Sequence, residues 1–391
     1  MTGVRAGYRE TEFGTLPDDW QSVTVETAAA RTQNAVVGGP FGSDLVSSDY
    51  AETGVPIIRG QNMGGKFVDG TFAFVSLEKA KSLSANSAGA ADLIFTQRGT
   101  LGQVSIVPGV GFDRYIVSQS QMKVSLDQTR FDPEFFYYYF SSPAGLRQVI
   151  DSAIQTGVPH TNLGILRRYR LPVPKTKREQ AAIAEVLGDA DGLIEALEAL
   201  IAKKRAIKQG AMQDLLSGKN RGTTTRLGSV LKIGHGRSQK AVEISDGPYP
   251  ILASGGQIGT ASQFLYDRPS VLIGRKGTID RPQYADTPFW TIDTLFYTVI
   301  AEPNVPKYLF YRFCMIDWRQ YNEASGVPSL NSGTIENIEI ELHRPDEQRA
   351  IATVLSDMDA EIAALEDKLA KARAVKQGMM QVLLTGEIRL I

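Results

Sequence analysis

Residues Lys208–Gly218 read "KQGAMQDLLSG", and 168 positions later Lys376–Gly386 read "KQGMMQVLLTG". A chain that writes one helical segment twice is tightly constrained, because any surface one copy must bury, the other must bury too. The match extends upstream to Glu179 and Glu347 without a gap, and about 25 of 40 positions are identical. Both copies are rich in Ala, Leu, Glu, Lys and Gln and lack proline after their entry, so each is expected to form one long helix.

Apolar residues in these helices recur in steps of four and three. The first copy places Ile183, Leu187, Ala190, Ile194, Leu197 and Ile201 on one stripe; the second places Ile351, Leu355, Met358, Ile362, Leu365 and Leu369 there. Such a stripe leaves water only by meeting another surface. Each helix could lie on its own domain, but two matched stripes in one chain favour pairing with each other. The short connection "SGKNRGTTTR" after the first helix, and the "RPDEQ" entry to the second, make that pairing antiparallel. From Ile183 to Lys208 the rise is roughly 39 Å at about 1.5 Å per residue. The expected architecture is a pseudo-twofold molecule: domain 1–174, helix 175–218, domain 219–342 and helix 343–391, with the two domains held apart by the helical rod.

The globular segments also resemble each other. "QTGVPHTNLG" is echoed by "EASGVPSLNSG", "PEFFYYYFSS" by "PKYLFYRFCM", and "LIFTQRGTLGQVSIV" by "VLIGRKGTIDRPQY". Short β-rich runs separated by Gly, Pro and Asn, with one aromatic helix per half and no regular βαβ alternation, indicate an α+β fold.

Bulk properties narrow the function. A chain of 391 residues exceeds one ordinary core. No apolar run approaches the roughly 20 residues that cross a bilayer, and "MTGVRAGYRE" has no signal-peptide core, so a cytoplasmic protein is expected without a membrane partner. The single cysteine, Cys314, fits a reducing compartment and is expected in the core of the aromatic helix. Neither a GxxxxGK[ST] loop nor an aminomethyltransferase Asn/Asp-Pro-Pro-aromatic run is present. Three histidines and one cysteine make no recognisable zinc site, so neither metal nor cofactor is expected. Asp346 with Glu366 and Lys368 imitates a nuclease's ligand order, but about 20 helical residues place these carboxylates roughly 30 Å apart. A non-catalytic chain is therefore expected.

Two sets of loops carry binding chemistry. "TQRGTLGQ" offers Gln97, Arg98, Thr100 and Gln103, while "GRKGTID" offers Arg275, Lys276 and Thr278. Arginine grips the guanine O6/N7 edge, glutamine the adenine edge, and a threonine methyl the thymine methyl, whereas lysine and backbone amides suit phosphates. The second set holds His160, Thr161 and Asn162 in one half and Ser329, Leu330 and Asn331 in the other, although Asn beside Gly is also an ordinary turn former. The basic run Arg167, Arg168, Arg170, Lys175, Lys177 and Arg178 suits either phosphates or a solvated face. Against a DNA ligand stands the net charge of -1, which requires positive charge to be local or shared with other subunits.

At this point the chain resembles the specificity subunits of type I restriction-modification systems. "LPDDW", "GVPIIRGQNM", "YPILASGGQIG", "VLIGRKGTIDRPQY" and the duplicated "EQ-x-x-I-A-x-V-L" helices ending in "LL[ST]G" carry the likeness over nearly the whole sequence. Asp280 stands where that family more often has glycine. The resemblance implies two target recognition domains, each reading half of a bipartite double-stranded DNA site, and adds Gln257 to the DNA-contacting set. It further implies that the antiparallel helices space the domains and dock two methyltransferase subunits, with restriction/translocase subunits in the full complex. A rod near 39 Å compares with the about 34–36 Å of one B-DNA turn. The rival expectation is a non-catalytic coiled-coil scaffold carrying two protein-binding modules.

Overall fold

The computed structural model describes residues 5–155, 157–217 and 222–390. The expected boundary at 218/219 and the outermost residues of the first and last segments lie outside them. The chain divides into two compact units, Met1–Ala196 with Leu369–Ile391, and Leu197–Lys368. Two helices of 40 and 39 residues, Lys177–Leu216 and Pro345–Leu383, each contribute to both units. Thr176 Oγ1 accepts the Glu179 N–H at the start of the first (3.3 Å), and Pro345 followed by Asp346 and Glu347 opens the second, so both N-termini have favourable chemistry.

The first unit has a four-stranded antiparallel sheet in the order Val104–Ile106, Leu93–Thr96, Gln121–Val124, Val36–Gly38. The second unit repeats it as Gln283–Ala285, Ser270–Gly274, Leu295–Ile300, Leu231–His235. Each unit also has a second sheet containing one parallel pair: Val55–Ile58 with Tyr115–Val117, and Tyr249–Ala253 with Trp290–Thr291. That sheet has five strands in the first unit and three in the second. The fold is α+β, and its duplication extends to strand order.

Each unit's main core forms around its aromatic helix. In the first, Phe135, Phe136, Tyr138 and Phe140 of helix Pro133–Ser141 pack with Trp20, with Ile183 and Leu187 of the first long helix, and with Met380 and Leu383 of the second. In the second, Tyr308, Leu309, Tyr311 and Phe313 of helix Pro306–Cys314 pack with Trp318, Met212, Leu216, Ile351 and Leu355. Cys314 lies outside this core: the residue is exposed, as is Ser141 at the matching position, although desolvation of the thiol pushes its pKa up to about 11.

A polar network fixes the helices within each unit. Tyr138 Oη donates to Asp191 Oδ2 (2.9 Å), and Lys376 donates to the other oxygen of Asp191 while lying over the Tyr138 ring. In the second unit Tyr311 donates to Asp359 (2.6 Å), and Lys208 donates to Asp359 while lying over the Tyr311 ring. The same two repeat positions are used in both units, but the helices exchange roles. Burial, with the adjacent carboxylate, pushes both tyrosines well above the usual phenol range. The helices run antiparallel in each unit: Asp191 meets Lys376 while Glu179 meets Arg389, and Lys204 and Lys208 meet Glu361 and Asp359. A buried glutamine adds a second lock. Gln180 accepts the Asp132 N–H and donates to the Arg130 and Pro174 carbonyls; Gln348 accepts the Val305 N–H and donates to the His343 carbonyl.

Removing the carboxylate in Asp359→Ala leaves Lys208 and Tyr311 without this acceptor. The expected loss is about 1–2 kcal/mol, at the lower end because the group is partly exposed, with a smaller loss for Tyr311→Phe. Urea unfolding followed by circular dichroism reads both.

Candidate nucleic-acid interface

At one end of each four-stranded sheet, matched loops are joined by one hydrogen-bond pattern. In the first unit the Gln97 and Arg98 N–H groups donate to Ser120 O (2.7 and 3.3 Å), and Thr161 N donates to Gln97 O (3.0 Å). In the second, Arg275 and Lys276 N–H groups donate to Thr294 O (2.8 and 3.3 Å), and Leu330 N donates to Arg275 O (2.9 Å). A backbone bridge joins Arg98 to His160 and, equivalently, Lys276 to Ser329. The pattern shifts the expected correspondence by one residue: Arg98 matches Lys276, and Gln97 matches Arg275. Gly99 and Gly277 set the frame, since both adopt the left-handed conformation (φ 100° and 87°).

These loops differ in what they present. Arg98 and Lys276 are exposed, and neither side chain has a hydrogen bond or ion pair among the described residues. Arg275 is half-buried, its guanidinium 3.4 Å from Asp293 O. Thr100 is exposed, whereas Thr278 and Ser329 are half-buried. His160 is half-buried, with its ring nitrogen 3.1 Å from Val158 O. Gln257 is exposed on the hairpin of Tyr249–Ala253 and Gly256–Ala261, whose turn residue Ser254 lies 3.6 Å from where a Cβ on Gly277 would stand.

Several expected contact residues have structural partners instead. Thr161 is buried, with its hydroxyl 3.1 Å from Tyr169 Oη, so it is withdrawn from the surface. Asn162 accepts the Ile165 N–H and caps helix Leu163–Arg168; Asn331 accepts the Gly333 N–H and caps Ser332–Asn337. Gln103 is half-buried and accepts from Thr96 Oγ1 (3.4 Å). Within the basic run, Arg170 pairs with Glu12, Lys177 donates to Gln128 O, and Arg167 to Val36 O. Asp280, at the end of the second loop, pairs with Arg319, which holds its carboxyl below the usual range.

A fourth segment, missed in the sequence, joins the first unit's site. Residues Gly38 to Gly42 line a cleft of about 510 Å³ with Gln97, Arg98, Gln119 and Asn162. The only sequence signal was the run "GGPFG". On the long helices, Ile183, Leu187, Leu197, Ile201, Ile351, Leu355 and Ile362 are buried, while Ile194, Leu365 and Leu369 are half-buried. Leu193, Leu200 and Ile207 form an exposed stripe on the first helix that was also missed, although their seven-residue spacing was legible.

Among the described residues, no cluster of His, Cys, Asp or Glu could hold a metal ion. Asp346 and Glu366 belong to separate ion pairs, with Arg344 and Arg205. No helix among the described residues is long and apolar enough to cross a membrane.

The fold and paired loops define a duplicated α+β protein with two long shared helices. The family model "Type I restriction modification DNA specificity domain" matches residues 45–205 and again 222–373. The chain belongs to that family. It is 25% identical over 222 residues to the type I restriction enzyme MjaVIII specificity subunit of Methanocaldococcus jannaschii, covering 55% of this chain and 49% of that one. It is 22% identical over 166 residues to the Escherichia coli EcoDI specificity subunit, covering 41% and 36%. The match thus spans half or less of these two curated relatives. A putative MjaX specificity subunit, also from M. jannaschii, is 20% identical, with 98% and 96% covered. The crystal structure of an S subunit from M. genitalium superposes with a TM-score of 0.65 at 15% identity, covering 93% of this chain and 96% of that one. A chain from a type I R-M system solved for complex assembly and conformational transition gives 0.60 at 15%, covering 95% and 99%. At that identity the likeness concerns the fold alone.

Capping by Asn162 and Asn331 predicts that Asn→Ala at either position costs about 1 kcal/mol of stability while Asn→Ser costs much less. Chemical denaturation measures the difference.

Proposed function

We propose that this chain is the sequence-reading, non-catalytic subunit of a type I restriction-modification complex. Each unit reads one half of a bipartite, gapped site on duplex DNA. The two long helices set the gap and dock two methyltransferase subunits; restriction/translocase subunits complete the assembly. Methyl transfer and DNA cleavage belong to those partners. One observation carries the reading: loops bearing cations are built at the end of the same sheet twice, to the same hydrogen-bond pattern. Duplicated sites of that kind suit a ligand read in two places. Local cations at the loops, with positive surface added by partners, also reconcile a net charge of -1 with a polyanionic ligand. The exposed Leu200 and Ile207 support docking of a partner on the first helix, because exposed apolar residues on one helix face suit an apolar partner surface.

Co-expression with the methyltransferase subunits, followed by mapping of methylated bases, tests the proposal. A gapped motif is expected. Arg98→Ala should relax one half of it and Lys276→Ala the other, each guanine-type contact being worth about 1–3 kcal/mol. A contiguous motif, or changes in both halves from either variant, would contradict it; a protein-binding scaffold predicts no motif. Leu200→Glu combined with Ile207→Glu is expected to abolish co-purification of the methyltransferase subunits while leaving the thermal unfolding of the chain near that of wild type. Retained co-purification would remove the docking role.

A further inference from the structure

We infer that Phe41 is a specificity-determining residue of the first unit, its ring packing on the 5-methyl group of a thymine in the major groove beside the base edge that Arg98 grips. The inference rests on the DNA-reading function proposed above and narrows it to one chemical group.

A single exposed apolar side chain needs no explanation on a protein surface. Phe41 differs in how it is mounted. The residue is 82% exposed, yet the preceding Pro40 is buried. Gly39 is pressed against the next strand connection so closely that a Cβ there would lie 1.9 Å from Ser118 O. Gly39 N–H donates to Gln121 O (3.0 Å), Asn86 donates to Gly38 O (2.8 Å), and Asp44 N–H donates back to Phe41 O (2.8 Å). From the other side the Gln119 amide donates to Gly42 O (3.1 Å) and Leu45 O (3.4 Å). Backbone on both sides of Phe41 is therefore tied down, and Phe41 lines a cleft together with Arg98, Gln97 and Gln119. Presenting a large apolar group to water from an anchored backbone segment gains the free molecule nothing; it prepares a contact.

The chemistry of the ligand selects that contact. Phosphates, sugars and most base edges are polar, and the apolar group displayed in the major groove is the thymine methyl. The guanidinium of Arg98 and the amide of Gln97 match the acceptor and donor groups on neighbouring purine edges. One cleft thus presents an apolar face and polar donors together, as a base step containing thymine requires.

The second unit lacks the apolar element. Gly236 is clamped in the same manner, since a Cβ there would lie 1.8 Å from Ile292 O, but Arg237 and Ser238 follow it where Pro40 and Phe41 follow Gly39. The contact therefore belongs to one half-site only.

The test uses the full chain in complex with its methyltransferase subunits and selects from a randomised duplex DNA library. Wild type is expected to enrich a bipartite motif with a thymine in one half, and Phe41→Ala to lose preference at that position alone. Replacing that thymine by deoxyuridine, which lacks only the methyl, should weaken wild type about four-fold, the worth of one buried methyl group, and leave Phe41→Ala unaffected. Phe41→Leu, which keeps an apolar tip, should retain sensitivity to deoxyuridine. If Phe41→Ala enriches the wild-type motif, or wild type binds both duplexes equally, the inference fails while the DNA-reading function stands. Loss of affinity in Phe41→Ala without any deoxyuridine effect would make the ring a wedge between bases, and would also overturn it. A library from which wild type enriches nothing would overturn the DNA-reading function and this inference with it.

Discussion

In each unit, an aspartate held between a lysine and a tyrosine fixes the position of three helices. Asp191 and Asp359 take one bond from the aromatic helix and one from the opposite long helix, so neither long helix can slide without stranding a charge. Apolar seams alone permit register shifts of a heptad at modest cost, whereas a misplaced charge in a half-buried site is penalised at once. The buried Gln180 and Gln348 reinforce the lock by binding the backbone just before the aromatic helices. From that fixed helix the sheet, and then the loops at its end, take their positions.

Much of this framework was legible in the residues. Identity at about 25 of 40 positions between the two helical segments implied two equal environments, and the four-and-three spacing marked the buried face of each helix. Both lysines of the locks even open the repeated stretch, at Lys208 and Lys376. Their partners were not legible, because Asp191 and Lys376 are brought together only by the register of the two helices, which spacing does not specify.

The paired loops of the candidate site were legible in the sequence, whereas their correspondence and burial were not. Matching Arg98 with Arg275 followed chemical likeness, whereas the backbone counts from Gly99 and Gly277 and therefore matches arginine with lysine. Thr161 and Asn162, polar and beside a glycine, suggested a surface loop. A buried Tyr169 hydroxyl claims the first and a helix N-terminus the second. Conversely, Phe41 gave little signal, since a phenylalanine in sequence ordinarily marks a core position. Its exposure accompanies the burial of Gly39 and Pro40, which anchor the backbone before it.

The aspartate locks are neither fully buried nor fully wet: the side chains of Lys208 and Asp359 are 22% and 37% exposed, and those of Lys376 and Asp191 are 21% and 24% exposed. Mobile ions therefore reach them and weaken them, as they weaken any attraction between a cation and a phosphate backbone. Under the proposed DNA-reading function, a titration of affinity against ionic strength would consequently report two processes at once, displacement of counterions and slackening of the scaffold that holds the loops. The slope would overcount the phosphates touched.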